Sequence, residues 1–103
     1  MENKKVVFIL GRLNVRTYWK PYEKAEDDLS AAGFIPLSPS RLPYNLPQEK
    51  RMELQLAMLN AADAVLLIPG WHLSTKAQTL LAYAKAINKP LVKLANAEGG
   101  VEQ

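Results

Sequence analysis

The sequence predicts a small three-layer α/β domain: a parallel sheet of four to five strands with helices on both faces. Three observations carry this. Short apolar runs alternate with amphipathic stretches along almost the whole chain. The strand-like runs are continuously apolar, as strands covered on both faces must be. The connections between elements are mostly short, and right-handed crossovers would then bring the strand C-terminal ends to one edge. The arrangement is Rossmann/flavodoxin-like, a layout in which ligands settle in the crevice at that edge.

Lys5-Val-Val-Phe-Ile-Leu10 is the first strand, ending at Gly11, and Gly11 to Arg16 is a loop. A helix is expected from about Trp19, with Pro21 in its first turn, where a missing N–H does no harm. Tyr22, Ala25, Leu29 and Ala32 form its apolar stripe, with Glu23, Lys24, Glu26 and Asp27 facing water. Gly33 is its C-terminal cap. Phe34-Ile-Pro-Leu37 is a short second strand, placed at an edge by its proline. Ser38 to Pro47 holds three of the seven prolines and reads as a long loop. A second helix runs from about Gln48 to Ala61, burying Met52, Leu56 and Leu59, with Leu54 and Met58 widening the face.

Ala64-Val-Leu-Leu-Ile68 is the clearest buried strand. The third helix starts near Ser74 or Thr75, with Gln78 placed for a capping box to Thr75. Ala77, Leu80, Leu81, Ala84 and Ile87 form its stripe, and Asn88-Lys-Pro90 ends it. Leu91-Val-Lys-Leu94 is a final strand. Residues 1–95 are read as the domain and 96–103 as a frayed polar tail.

Composition narrows the functions. The chain of 103 residues is 49% hydrophobic and 22% charged, as soluble globular domains are. No apolar run approaches the ~20 residues that span a bilayer. The opening Met1-Glu-Asn-Lys-Lys5 does not read as a signal peptide, so a cytoplasmic setting is expected. With no cysteine and a single histidine, His72, neither disulfides nor a structural metal site is expected, and no cofactor is implied. The net charge of +3 comes from basic residues scattered along the chain, which argues against nucleic acid as a partner.

The crevice edge would carry Gly11-Arg-Leu-Asn14, Ser38-Pro-Ser40 and Pro69-Gly-Trp-His-Leu-Ser74. Gly11 permits close backbone approach, either to a ligand or merely to turn the chain. Arg12 or Arg16 would pair with a phosphate or stay solvated. Ser74 would cap the third helix, present its hydroxyl to a ligand oxygen, or both. Trp71 would stack on a base or sugar, or cover the sheet edge. Gln55, polar among apolar neighbours, would point into the crevice or to solvent. Asp63, at the start of its strand and away from the ligand edge, reads as structural. Neither GxGxxG nor a P-loop motif is present.

Several segments together resemble the nucleoside 2-deoxyribosyltransferase superfamily, and within it a small bacterial and phage branch of unknown function. Val6-Val-Phe-Ile-Leu-Gly11 resembles the opening strand. Tyr22, Ala25, Glu26, Leu29, Gly33, Phe34, Ser38 and Pro39 resemble the first helix and second strand. Ala62-Asp63 through Trp71, with Ser74, resembles the branch's most specific segment. The likeness covers about Lys5 to Leu94. It implies an enzyme that cleaves or transfers the N-glycosidic bond of 2′-deoxynucleosides or their monophosphates through a glutamate nucleophile. It also implies a serine at Ser74 contacting a 5′-phosphate, and assembly into homo-oligomers.

This chain departs from that pattern where the chemistry sits. The position implied for the glutamate is Leu80, and that implied for an aspartate is Gln55. The family's first-strand tyrosine is Phe8, the following proline is Arg12, and a glycine after the serine is Lys76. A leucine cannot form a glycosyl ester, and a glutamine cannot act as a carboxylic acid. The expected ligand-binding set is Gly11, Arg12, Asn14, Gln55, Pro69, Gly70, Trp71, Ser74 and Lys76, with no catalytic residue. The expected partner is a small nucleoside or nucleotide, bound without chemistry. Two alternatives stay open. One is an enzyme using His72, Glu53 or Asp63 instead. The other is an interaction domain with a vestigial crevice, packing through Tyr18, Trp19 and Trp71.

Overall fold

A computed structural model describes residues 4–13 and 19–93. Asn14, Arg16, Tyr18, Leu94 and the tail from residue 96 therefore lie outside the described residues. Strands β1 (Val6–Leu10), β2 (Ile35–Leu37) and β3 (Ala64–Leu67) form one parallel sheet in the order β2-β1-β3. Helices α1 (Lys20–Ala31), α2 (Gln48–Ala61) and α3 (Thr75–Ala86) provide the crossovers. Among the described residues, no helix is long and apolar enough to cross a membrane.

The topology dictates which helix covers which face. The connection from β1 to β2 moves one way across the sheet, and that from β2 to β3 moves back past β1. Right-handed crossovers then put α1 on one face and α2 on the other. Side-chain packing agrees. Val7 and Ile9 of β1, with Ala64 and Leu66 of β3 and the following Ile68, pack on Tyr22, Ala25 and Leu29 of α1. Phe8, Leu10 and Val65 point the opposite way, onto Leu59 of α2 and Ala77, Leu80, Leu81 and Ala84 of α3. The period-two alternation of a strand thus supplies both cores from one apolar run.

Asp63 joins β1 and β3 at their starts. Its Oδ2 accepts the Val6 N–H at 2.8 Å, and its own N–H donates to the Val6 carbonyl at 2.7 Å. The structural reading of this acid holds. Gly33, at φ +91°, ends α1 in the left-handed conformation, its N–H donating to the Ser30 carbonyl at 3.1 Å.

Five local expectations are corrected. Among the described residues the sheet has three strands rather than four to five, because the run from Leu91 makes only one parallel bridge there, to Val65. Leu91 and Lys93 are exposed, so that run lacks the two-sided burial that holds a central strand. Ala32 is exposed, since α1 stops at Ala31 and the cap turns it outward. Glu26 is buried rather than facing water, because it accepts hydrogen bonds from Arg41 and from Ser40 Oγ in the loop after β2. Its hydrogen bond and charge raise the Arg41 pKa. Leu54 is 40% exposed, on the far side of α2 from Leu59. Finally, the N-cap of α3 is Ser74, whose Oγ accepts the Ala77 N–H at 3.1 Å. Gln78 is therefore one residue too far along for a capping box and instead donates to the His72 carbonyl at 2.7 Å.

Candidate functional site

The connections leaving β1 and β3 run to opposite sides of the sheet, which opens a crevice between their C-terminal ends. A cleft of about 270 Å³ occupies that place. Gly11 and Leu13 line it after β1, and Ser74, Lys76, Ala77 and Leu80 line it from the start of α3. Tyr44 and Leu46 of the loop between β2 and α2 form another wall, completed by Gln48, Arg51 and Gln55 of α2. The volume is slightly below the roughly 300–1,000 Å³ of small-molecule sites, and suits one small metabolite rather than a dinucleotide.

Four of the nine expected residues meet here: Gly11, Gln55, Ser74 and Lys76. Gln55, 8% exposed, takes the crevice side of its two options. Ser74 uses one of its two acceptor lone pairs on the helix cap, which leaves its O–H able to donate to a ligand.

Of the other expected residues, the described ones lie elsewhere. Pro69, Gly70 and Trp71 do not line the cleft. Gly70, at φ +90°, starts a 3-10 turn over Trp71–Leu73 that directs Trp71 onto the core packed by α2 and α3. There the indole meets His72 edge-on, with centroids 5.9 Å apart. Arg12 is exposed and outside the lining, and Asn14 lies outside the described residues. Gly11 lines the cleft, yet its glycine identity has an inward cause. A Cβ there would overlap Ile68 Cγ1 and approach the buried Tyr22 hydroxyl to 3.5 Å.

Besides the apolar Leu13, Ala77 and Leu80, the expected binding set lacked Tyr44, Leu46, Gln48 and Arg51. The available signal was polar: Gln48, Arg51 and Gln55 recur at i, i+3 and i+7, one stripe of a helix. Arg51 is tied to the loop, its Nη2 donating to the carbonyls of Pro43 at 2.7 Å and Tyr44 at 3.2 Å. Its Nη1 is buried and has no hydrogen-bond partner among the described residues.

The electrostatics are one-sided. Arg51 and Lys76 are the charged residues among the described lining, and no carboxylate joins them. Leu80 is 3% exposed and contributes hydrocarbon to the cleft wall. Such an arrangement can hold an anion and hydrogen-bond a polar ligand, but the described lining offers no carboxylate, either as a nucleophile or as an acid. Among the described residues there is no cluster of three or more histidines, cysteines or acids able to hold a metal.

The fold and the cleft define a small open parallel α/β domain with a crevice at its topological switch point. Residues 5–93 match the family described as "Domain of unknown function (DUF4406)". The match covers most of the chain, which therefore belongs to that family. A comparison with curated proteins gave no match.

Proposed function

We propose that this protein is nucleoside 2-deoxyribosyltransferase-like, and that it binds a nucleoside, nucleotide or related phosphorylated ligand between β1 and β3 without breaking the N-glycosidic bond. One observation carries the reading. The cleft residue where the likeness to those enzymes demands a glutamate is Leu80, and the described lining holds no carboxylate that could replace it. Attack on an anomeric carbon needs a nucleophile to form the glycosyl intermediate, and departure of the base is helped by an acid. Gln55, at the place of an acid, can donate and accept hydrogen bonds but cannot supply a proton at neutral pH. What the cleft retains is recognition: the Ser74 hydroxyl, two cations and an apolar floor of Leu13, Leu46, Ala77 and Leu80.

Isothermal calorimetry against nucleosides and nucleoside monophosphates tests this, with circular dichroism establishing that the protein is folded. Saturable one-site binding is the expected result. Folded protein that binds none of them removes the proposal.

A further inference from the structure

We infer that Arg51 is the anchor for an anionic oxygen of the ligand, and that it makes the cleft prefer a phosphate ester to the corresponding neutral nucleoside. The inference rests on the ligand-binding reading above and names the residue and the chemistry that set its selectivity.

The guanidinium is divided in its duties. Nη2 satisfies two backbone carbonyls, those of Pro43 and Tyr44, and so fixes the side chain against the loop. Nη1 belongs to the same rigid planar group, yet it is buried with no acceptor among the described residues. Buried N–H groups without partners are rare, and a charged one is the costliest kind to leave so. An acceptor brought by a ligand would complete it.

The surroundings favour an anion as that acceptor. Lys76 adds a second positive charge from α3, and no described lining residue is acidic. Gln48 and Gln55 flank Arg51 on the same stripe of α2 and provide neutral donors. With Nη2 given to two carbonyls, Nη1 offers a single charge-assisted hydrogen bond, which a negatively charged phosphate oxygen accepts more strongly than a neutral carbonyl or hydroxyl. Nη1 is covered in this conformation, so the acceptor reaches it by displacing part of its cover. Tyr44 is 64% exposed, and Arg51 is one of the groups that tie its turn to α2.

Calorimetry on matched pairs of nucleoside and 5′-monophosphate, with inorganic phosphate as a third probe, tests the inference. Wild-type protein binds each monophosphate about tenfold to a hundredfold tighter than its nucleoside, the range expected of a charge-assisted hydrogen bond. Inorganic phosphate competes with the monophosphate. Arg51→Gln abolishes the preference, so that monophosphate and nucleoside bind alike, and Arg51→Lys restores part of it. Thermal unfolding of each variant shows whether loss of the loop contacts has unfolded it. If Arg51→Gln does not fold, Lys76→Gln decides, because it leaves Arg51 in place: the preference persists in it if Arg51 is the anchor and vanishes if Lys76 is. Equal affinity for nucleoside and monophosphate, or a preference surviving in folded Arg51→Gln, overturns the inference and leaves ligand binding standing. Absence of all binding by folded wild type removes both.

Discussion

Replacing Gly11 by alanine tests why a glycine stands at the edge of the cleft. The added methyl would overlap Ile68 Cγ1 and lie 2.9 Å from Ile68 Cδ1 and 3.5 Å from the Tyr22 hydroxyl oxygen. Ile68 is buried and Tyr22 fully so, and neither can swing into solvent. Backbone strain is not the issue, because the left-handed glycines among the described residues are Gly33 and Gly70. Overpacking of this kind costs about 1–3 kcal/mol. Ile68→Ala alone leaves a cavity and costs about 2–5 kcal/mol. In the double variant the new methyl enters part of the vacated space, so each change relieves the other. Urea unfolding of the four proteins in this cycle gives the coupling directly. The double variant should exceed the additive expectation by about 1–2 kcal/mol, within the range for residues in contact. Additivity to within about 0.5 kcal/mol would refute the argument that Gly11 is held small by Ile68.

Other perturbations follow from the same contacts. Asp63→Ala leaves the Val6 N–H without its acceptor and should cost about 1–3 kcal/mol, with Asp63→Asn losing less, as read from denaturation midpoints. Ser74→Ala removes the cap of α3 and should cost about 0.5–2 kcal/mol, whereas Ser74→Asp should retain most of the stability. Leu80→Glu places a carboxyl group among the side chains packed by α3, which raises its folded-state pKa above the unfolded value of about 4.3. The protonated form is then favoured by the fold, so this variant's deficit relative to wild type should be least below that value and grow as pH rises. Thermal unfolding from pH 4 to pH 8 measures it, and a deficit independent of pH would contradict the burial of Leu80.

The layers of the fold were legible because strand and helix periodicities differ so plainly here. Val6 to Leu10 is too short and too apolar to be anything but a strand covered on both faces, and Gly33 marks the end of α1 without ambiguity. α2 starts at Gln48 and ends at Ala61, where its pattern starts and stops. What escaped were features set by tertiary partners. Glu26 looks like a solvent-facing helix acid until Arg41 and Ser40 fold over it. Trp71, in a loop next to a Pro-Gly turn, reads equally as a ligand platform or as a cover for the sheet edge, and it is the 3-10 turn that sends it to the core.

The site was legible at its backbone frame and less so at its walls. Ser74 and Lys76 follow from the junction of β3 and α3, which crossover topology alone places at the crevice. Gln55 was recognisable as a polar residue on a mostly apolar face. Arg51 was not, because a lone arginine near a helix start is usually solvated. Its identity as a cleft residue depends on the Leu42–Pro47 loop, whose prolines constrain the chain without saying where it will lie. A search for polar helical stripes, applied to Gln48, Arg51 and Gln55, would have found it.

The central claim, recognition without bond cleavage, is tested most directly by incubating the protein with 2′-deoxynucleoside 5′-monophosphates. Released base is followed by chromatography and the protein by intact-mass spectrometry. The account predicts no base above the protein-free blank and an unmodified polypeptide mass, under conditions where calorimetry shows binding. Free base in excess of the blank, or a protein carrying one deoxyribosyl group, would contradict it.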